Sequence, residues 1–269
     1  LVMIMARVRK SKMPAIFVGH GSPMVALEED SYTKSLASFA KMLPKPKAIA
    51  VVSAHWESKL PWRVTAGSKP GIIYDFFGFP DELYRLTYPC PGDPALAREI
   101  ADLLSRTGEE TVLDSRRGID HGAWVPIRRM FPQADIPVVQ ISLPPSPPLD
   151  LVRMGQFLAP LRSEGVLLMG SGNLVHNLKL IHFEDKNFPV ESWAGEFDSW
   201  LAEMLGKFEL QQLIDYRHKG PHAAMAAPTT EHFDPLFFVL GAAEGEPLTA
   251  IFAGFHHGNI SMRTLALGV

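Results

Sequence analysis

One feature constrains the fold more than any other, an alternation of short apolar runs with longer amphipathic stretches. Residues 15–18, 48–53, 138–143, 166–169 and 249–253 are short and mostly rich in β-branched residues or leucine, as buried strands are. Between some of them lie segments with apolar residues at helical spacing: 31–42, where Leu36, Phe39, Ala40 and Leu43 share a side, and 94–105, 149–161, 192–208 and 231–240. Pro94 suits a first helical turn, and Asp93 before it can cap that helix. The alternation therefore predicts an α/β fold, with a central, mainly parallel sheet flanked by helices on both faces. Residues 74–91 break the rhythm; their aromatic and proline content predicts an ordered excursion. No shift in composition marks a boundary, so residues 14–269 are expected to form a single domain preceded by an N-terminal extension, 1–13.

Composition narrows the functional classes. A net charge of −3 gives no electrostatic footprint for nucleic acid or an anionic membrane. The single cysteine, Cys90, excludes an intrachain disulfide and a multi-cysteine metal site, and fits a reducing cytoplasm. The first twelve residues hold two short apolar pieces split by Arg7, Arg9, Lys10 and Lys12, without the order of a signal peptide. No apolar run approaches the ~18 residues of a membrane span. The expectation is a soluble cytoplasmic protein.

The histidines carry the functional information through their placement. The first apolar run leads into Gly19-His20-Gly21, the second into Ala54-His55-Trp56, and the run at 166–169 into a glycine-rich segment with His176. In open α/β sheets, ligands bind outside the carboxyl ends of the strands. Neutral imidazole is the commonest metal ligand, so His20 and His55 are the firmest candidates. Asp120-His121 precedes a helical segment, where Asp120 either orients an imidazole or caps the helix. Glu231-His232 opens another; two imidazoles with a carboxylate would make a facial triad, whereas Thr229 or Thr230 could equally cap a helix there. His256 and His257 follow the last apolar run, and His182, His218 and His222 have no distinguishing spacing. Signatures of P-loops, dinucleotide folds, HExxH metalloproteases and serine-hydrolase elbows are missing, and Ser171 reads as a turn residue.

Taken in order, the blocks GHGSP, SAHWES, YDFFGFP, DHGAWVP, GSGNLVHNL and PTTEHFDPL resemble the class III extradiol ring-cleavage dioxygenases. The likeness is greatest to the DOPA-dioxygenase-like branch, related to the catalytic subunit of protocatechuate 4,5-dioxygenase, and runs from about Pro14 to the C-terminus. It implies a non-haem metal enzyme that opens a small aromatic diol with O₂. His20 and His55 become metal ligands, with His232 as the third and Glu231 as its alternative. His176 becomes an acid/base residue that also ligates when substrate is absent, and His121 faces the substrate. Ala227 departs from the histidine that many members of the branch carry there. Activity requires Fe(II), because zinc has no redox chemistry, although a histidine-rich site also binds Zn(II) tightly. The competing readings are a zinc-dependent hydrolase on the same frame and a non-catalytic binding protein of the same fold.

Overall fold

The apolar runs form the strands that the alternation predicts. The structure, a computed structural model, describes residues 12–269. Its strands are β1 (Ala15–Gly19), β2 (Ala48–Glu57), β3 (Trp62–Thr65), β4 (Thr111–Asp114), β5 (Val138–Leu143), β6 (Val166–Gly172), β7 (Leu248–Phe252), β8 (Phe255–His256), β9 (Ile260–Ser261) and β10 (Thr264–Leu267). All but β8 and β9, which pair with each other, join one sheet in the order β4-β3-β5-β2-β6-β1-β10-β7. The centre, β5-β2-β6-β1, is parallel. Reversals occur only toward the flanks: β10 runs antiparallel to β1 and β7 to β10, and β3 runs antiparallel to β5. The four central strands therefore end along one edge.

The helices are α1 (Ser31–Met42), α2 (Asp81–Tyr84), α3 (Pro94–Leu104), α4 (His121–Met130), α5 (Pro148–Leu158), α6 (Ser192–Gly206), α7 (Leu210–Ile214), α8 (Tyr216–Lys219), α9 (Ala223–Ala226) and α10 (Pro235–Ala242). They cover both faces. Side chains alternate along a strand, so Ala15 and Phe17 join one core with residues of α3, α5, α6 and α10, while Ile16 and Val18 join a second with residues of α1 and α4. Every residue of α10 is buried, as an all-round apolar helix requires. Asp93 caps α3 by accepting from the Leu96 amide at 2.9 Å. No helix among the described residues is long and apolar enough to cross a membrane.

Three sequence expectations change. The helix expected over 231–240 begins at Pro235, because proline lacks the N–H that would continue it from Glu231. Asp120 does not cap α4; its buried carboxylate accepts from Ser53 Oγ at 2.8 Å and from Gln140 Nε2. Ser171 is not a turn residue but a buried residue of β6. The expected extension, 1–13, lies outside the described residues up to residue 11, while Met13 is already tied in through Arg162 Nε, which donates to its carbonyl at 2.7 Å. The excursion at 74–91 is ordered as expected. Trp124 Nε1 donates to the Ile73 carbonyl at 3.0 Å, and the Tyr74, Phe76, Phe79 and Tyr84 rings pack on one another.

Candidate metal centre

The edge where the central strands end collects five histidines. His20 follows β1, His55 lies near the end of β2, His121 opens α4, His176 sits in the loop after β6, and His232 lies in the turn before α10. All five line one cavity of about 330 Å³. His20 Nε2 and His55 Nε2 are 3.1 Å apart. The His232 ring centroid lies 5.2 Å from that of His20 and 5.1 Å from that of His55. His121 lies 4.0 Å from His55, and His176 stacks on His232 at 3.6 Å. Potential ligand atoms of His20, His55 and His121 fall within 4.8 Å of one another.

Two glycines permit this crowding. Gly21 has φ +66, a left-handed turn that leads the chain away from His20, and a side chain there would meet Met262 Cε at 2.6 Å. A Cβ at Gly122 would lie 2.4 Å from Ser53 Oγ and 2.9 Å from His55 Cδ2, so only glycine lets α4 approach β2.

The orientation of His20 traces back to a proline. Pro126 within α4 removes the N–H that would bond the Gly122 carbonyl four residues earlier. Ser171 Oγ donates to that freed carbonyl, and its lone pair accepts from His20 Nδ1 at 2.8 Å. The proton is thereby fixed on Nδ1, leaving a lone pair on Nε2. Asp75 sets a carboxylate beside two other rings. Its Oδ1 lies 2.9 Å from His121 Nδ1, out of line for a hydrogen bond, and accepts from the His121 backbone N–H at 2.9 Å. Its Oδ2 lies 3.8 Å from His55 Nδ1.

Burial disfavours the charged form of four of these rings. Burial, then the neighbouring histidines, holds His20 and His232 well below the usual histidine range. Burial and His121 push His55 down to about 3, against an opposing pull from Asp75. Burial lowers His176 to about 4. Burial alone would raise Asp75, but contact with His121 outweighs it and holds the carboxylate below its ordinary value.

This donor set fits a metal ion. Two ring nitrogens 3.1 Å apart need a shared proton or a shared cation between them, and nitrogen ligands bind at about 2.0–2.1 Å, within reach of both. His232 Nδ1 is buried without a hydrogen-bond partner, an orphaned lone pair or N–H that is costly to leave. Glu231 does not line the cavity; its carboxylate accepts from Thr229 Oγ1 at 2.8 Å. His257 does line it, whereas His256 lies 3.4 Å from Asp30 Oδ2. His182 pairs with Glu191, His218 with Asp215 and His222 with Glu196. Sequence reasoning missed Asp75 and misread Ser171. The one signal for Asp75 is a carboxylate set among aromatics in YDFFGFP.

Imidazoles converging beneath an otherwise apolar cavity make a candidate metal centre with room for a small ligand above it. Residues 14–265 match the family described as catalytic LigB subunit of aromatic ring-opening dioxygenase, and the chain belongs to that family. An Escherichia coli (strain K12) protein named 4,5-DOPA dioxygenase extradiol is 42% identical over 265 residues, covering 96% of this chain and 96% of its own. A Beta vulgaris protein of the same name is 42% identical over 239 residues, covering 84% of this chain and 85% of its own. The crystal structure of an uncharacterised protein from Escherichia coli K12 superposes with a TM-score of 0.80 at 39% identity, over 95% of this chain and 100% of that one.

Proposed function

We propose that this chain is an extradiol dioxygenase that opens the ring of a catechol-type substrate, such as a DOPA-like or protocatechuate-like diol, with both atoms of O₂ entering the product. Residues 14–269 form its catalytic domain in this reading, and a reducing cytoplasm is its setting. The observation that carries it is the pair of Nε2 atoms 3.1 Å apart on the cavity floor, one of them fixed as a lone pair by Ser171. His20, His55 and His232 are the proposed metal ligands. Fe(II) held there supplies redox chemistry toward O₂ and Lewis-acid activation of the diol, which Zn(II) in the same place supplies only in its second part.

The remaining work falls to this chain's own side chains. His121 takes a proton from a catechol hydroxyl, and the Asp75 carboxylate beside its Nδ1 stabilises the charge the ring gains. His176, stacked on His232 at the same floor, would take up the second hydroxyl proton of the diol and return it during ring opening. The Phe76 ring, 5.5 Å from His121 and edge-on to it, walls the floor against water and can flank a flat substrate. Its roles thus divide into three that hold the metal and two that move protons.

The test is aerobic incubation of Fe(II)-loaded protein with a panel of catechols that includes DOPA and protocatechuate. A yellow ring-opened product is expected from at least one of them. Loaded protein that leaves the whole panel intact would contradict the reading.

A further inference from the structure

Above its histidine floor the cavity changes character. Phe76, Phe79, Ile181 and Ile260 form the walls, and Phe77, Leu178 and Phe183 line the mouth. The last three are 92%, 55% and 57% exposed, an unusual outlay of large apolar surface at one opening. Two irregular segments supply them, the aromatic excursion for Phe77 and the loop after β6 for Leu178 and Phe183. No lysine, arginine, aspartate or glutamate lines the cavity among the described residues. Ser22 and His257 are the polar side chains apart from the floor, and the Nδ1–H of His257 already donates to the His182 carbonyl at 3.1 Å. Lys186 is held by Asp30 at 2.9 Å and by Glu28 at 3.6 Å.

From this we infer that the mouth is a vestibule for the substrate's ring substituent, and that it selects catechols whose substituent is uncharged and apolar, alkyl or aryl, over those bearing a carboxylate or an amino-acid head. The inference rests on the ring-cleavage reading and revises its substrate, making DOPA-like and protocatechuate-like diols the weaker ligands. A diol held on the floor would direct its far side toward the mouth that Phe77, Leu178 and Phe183 line. An apolar substituent there covers exposed hydrocarbon, whereas a charged one loses hydration and meets no lysine, arginine, aspartate or glutamate among the described lining residues.

Anaerobic calorimetric titration of the Fe(II)-loaded protein tests this without turnover. 4-Butylcatechol and 4-phenylcatechol are compared with protocatechuate and DOPA, and the first pair is expected to bind at least roughly tenfold more tightly. Phe77→Asp and Leu178→Asp change exposed positions, with melting curves to report the fold, and each is expected to shrink that margin. Equal or tighter binding of the charged pair overturns the inference, as does a margin that survives both substitutions. If all four diols bind equally and are opened in air, the inference alone falls; if none binds and none is opened, the ring-cleavage reading falls with it.

Discussion

Among the described residues, two clusters each gather three potential ligand atoms within 4.8 Å, His20 with His55 and His121, and Glu28 with Asp30 and His256. By donor count they are equals. They differ in the charge that the fold already supplies. At the second cluster Lys186 Nζ lies 2.9 Å from Asp30 and 3.6 Å from Glu28, so an ammonium occupies the place a cation would take. At the first, burial keeps His20 and His55 neutral and no lysine or arginine lines the cavity among the described residues. Ligand spacing alone therefore does not define a metal site; the balance between donors and resident charge does.

That contrast can be broken most forcefully at the floor. His20→Ala or His55→Ala should remove bound metal and cost more in kcat/KM than the roughly 100-fold typical of outer-shell changes. Glu28→Gln should leave the metal content of the protein at about one ion per chain; elemental analysis of both sets decides. Asp75→Asn should keep the metal yet lower kcat by roughly 10–100-fold, because His121 loses its charge partner. Steady-state kinetics beside metal content checks this.

Smaller effects are expected at the second cluster. Lys186→Met should lower the melting temperature by leaving two carboxylates facing each other, and adding Asp30→Asn, which preserves the α1 cap, should recover the loss. The smallest is a pH effect. Burial pushes His256 down to about 4 from an unfolded value near 6.5. Above pH 6.5 neither state takes the proton. As pH falls below that value the unfolded chain binds it first and stability drops, until near pH 4 the folded protein binds it as well. His256→Gln should flatten this share of the slope in melting curves of the metal-free protein.

Much of the floor is legible in the sequence because regular structure puts it there. A buried strand announces itself by its apolar run, and the residue that follows lies at the sheet edge, as His20 does. The supports are less visible. Asp75 reaches His121 from an irregular segment whose path depends on the contact of Trp124 with the Ile73 carbonyl, and no periodicity encodes that. Ser171 gains its role only because Pro126, far from it in sequence, frees the Gly122 carbonyl. Pro235 marks the start of α10, but the apolar pattern runs on through Phe233 and hides it. The vestibule is hidden for a related reason: an exposed phenylalanine such as Phe77 and a buried one such as Phe76 stand side by side in the sequence.

The division of labour on the floor is the central claim, and His121 and His232 separate its two halves. Both substitutions, His232→Gln and His121→Gln, should be loaded with Fe(II), dialysed and assayed for iron and for ring-opened product. The account predicts that His232→Gln loses the iron, whereas His121→Gln retains it and loses turnover. Iron retained in His232→Gln and lost from His121→Gln would contradict it and make the third ligand His121.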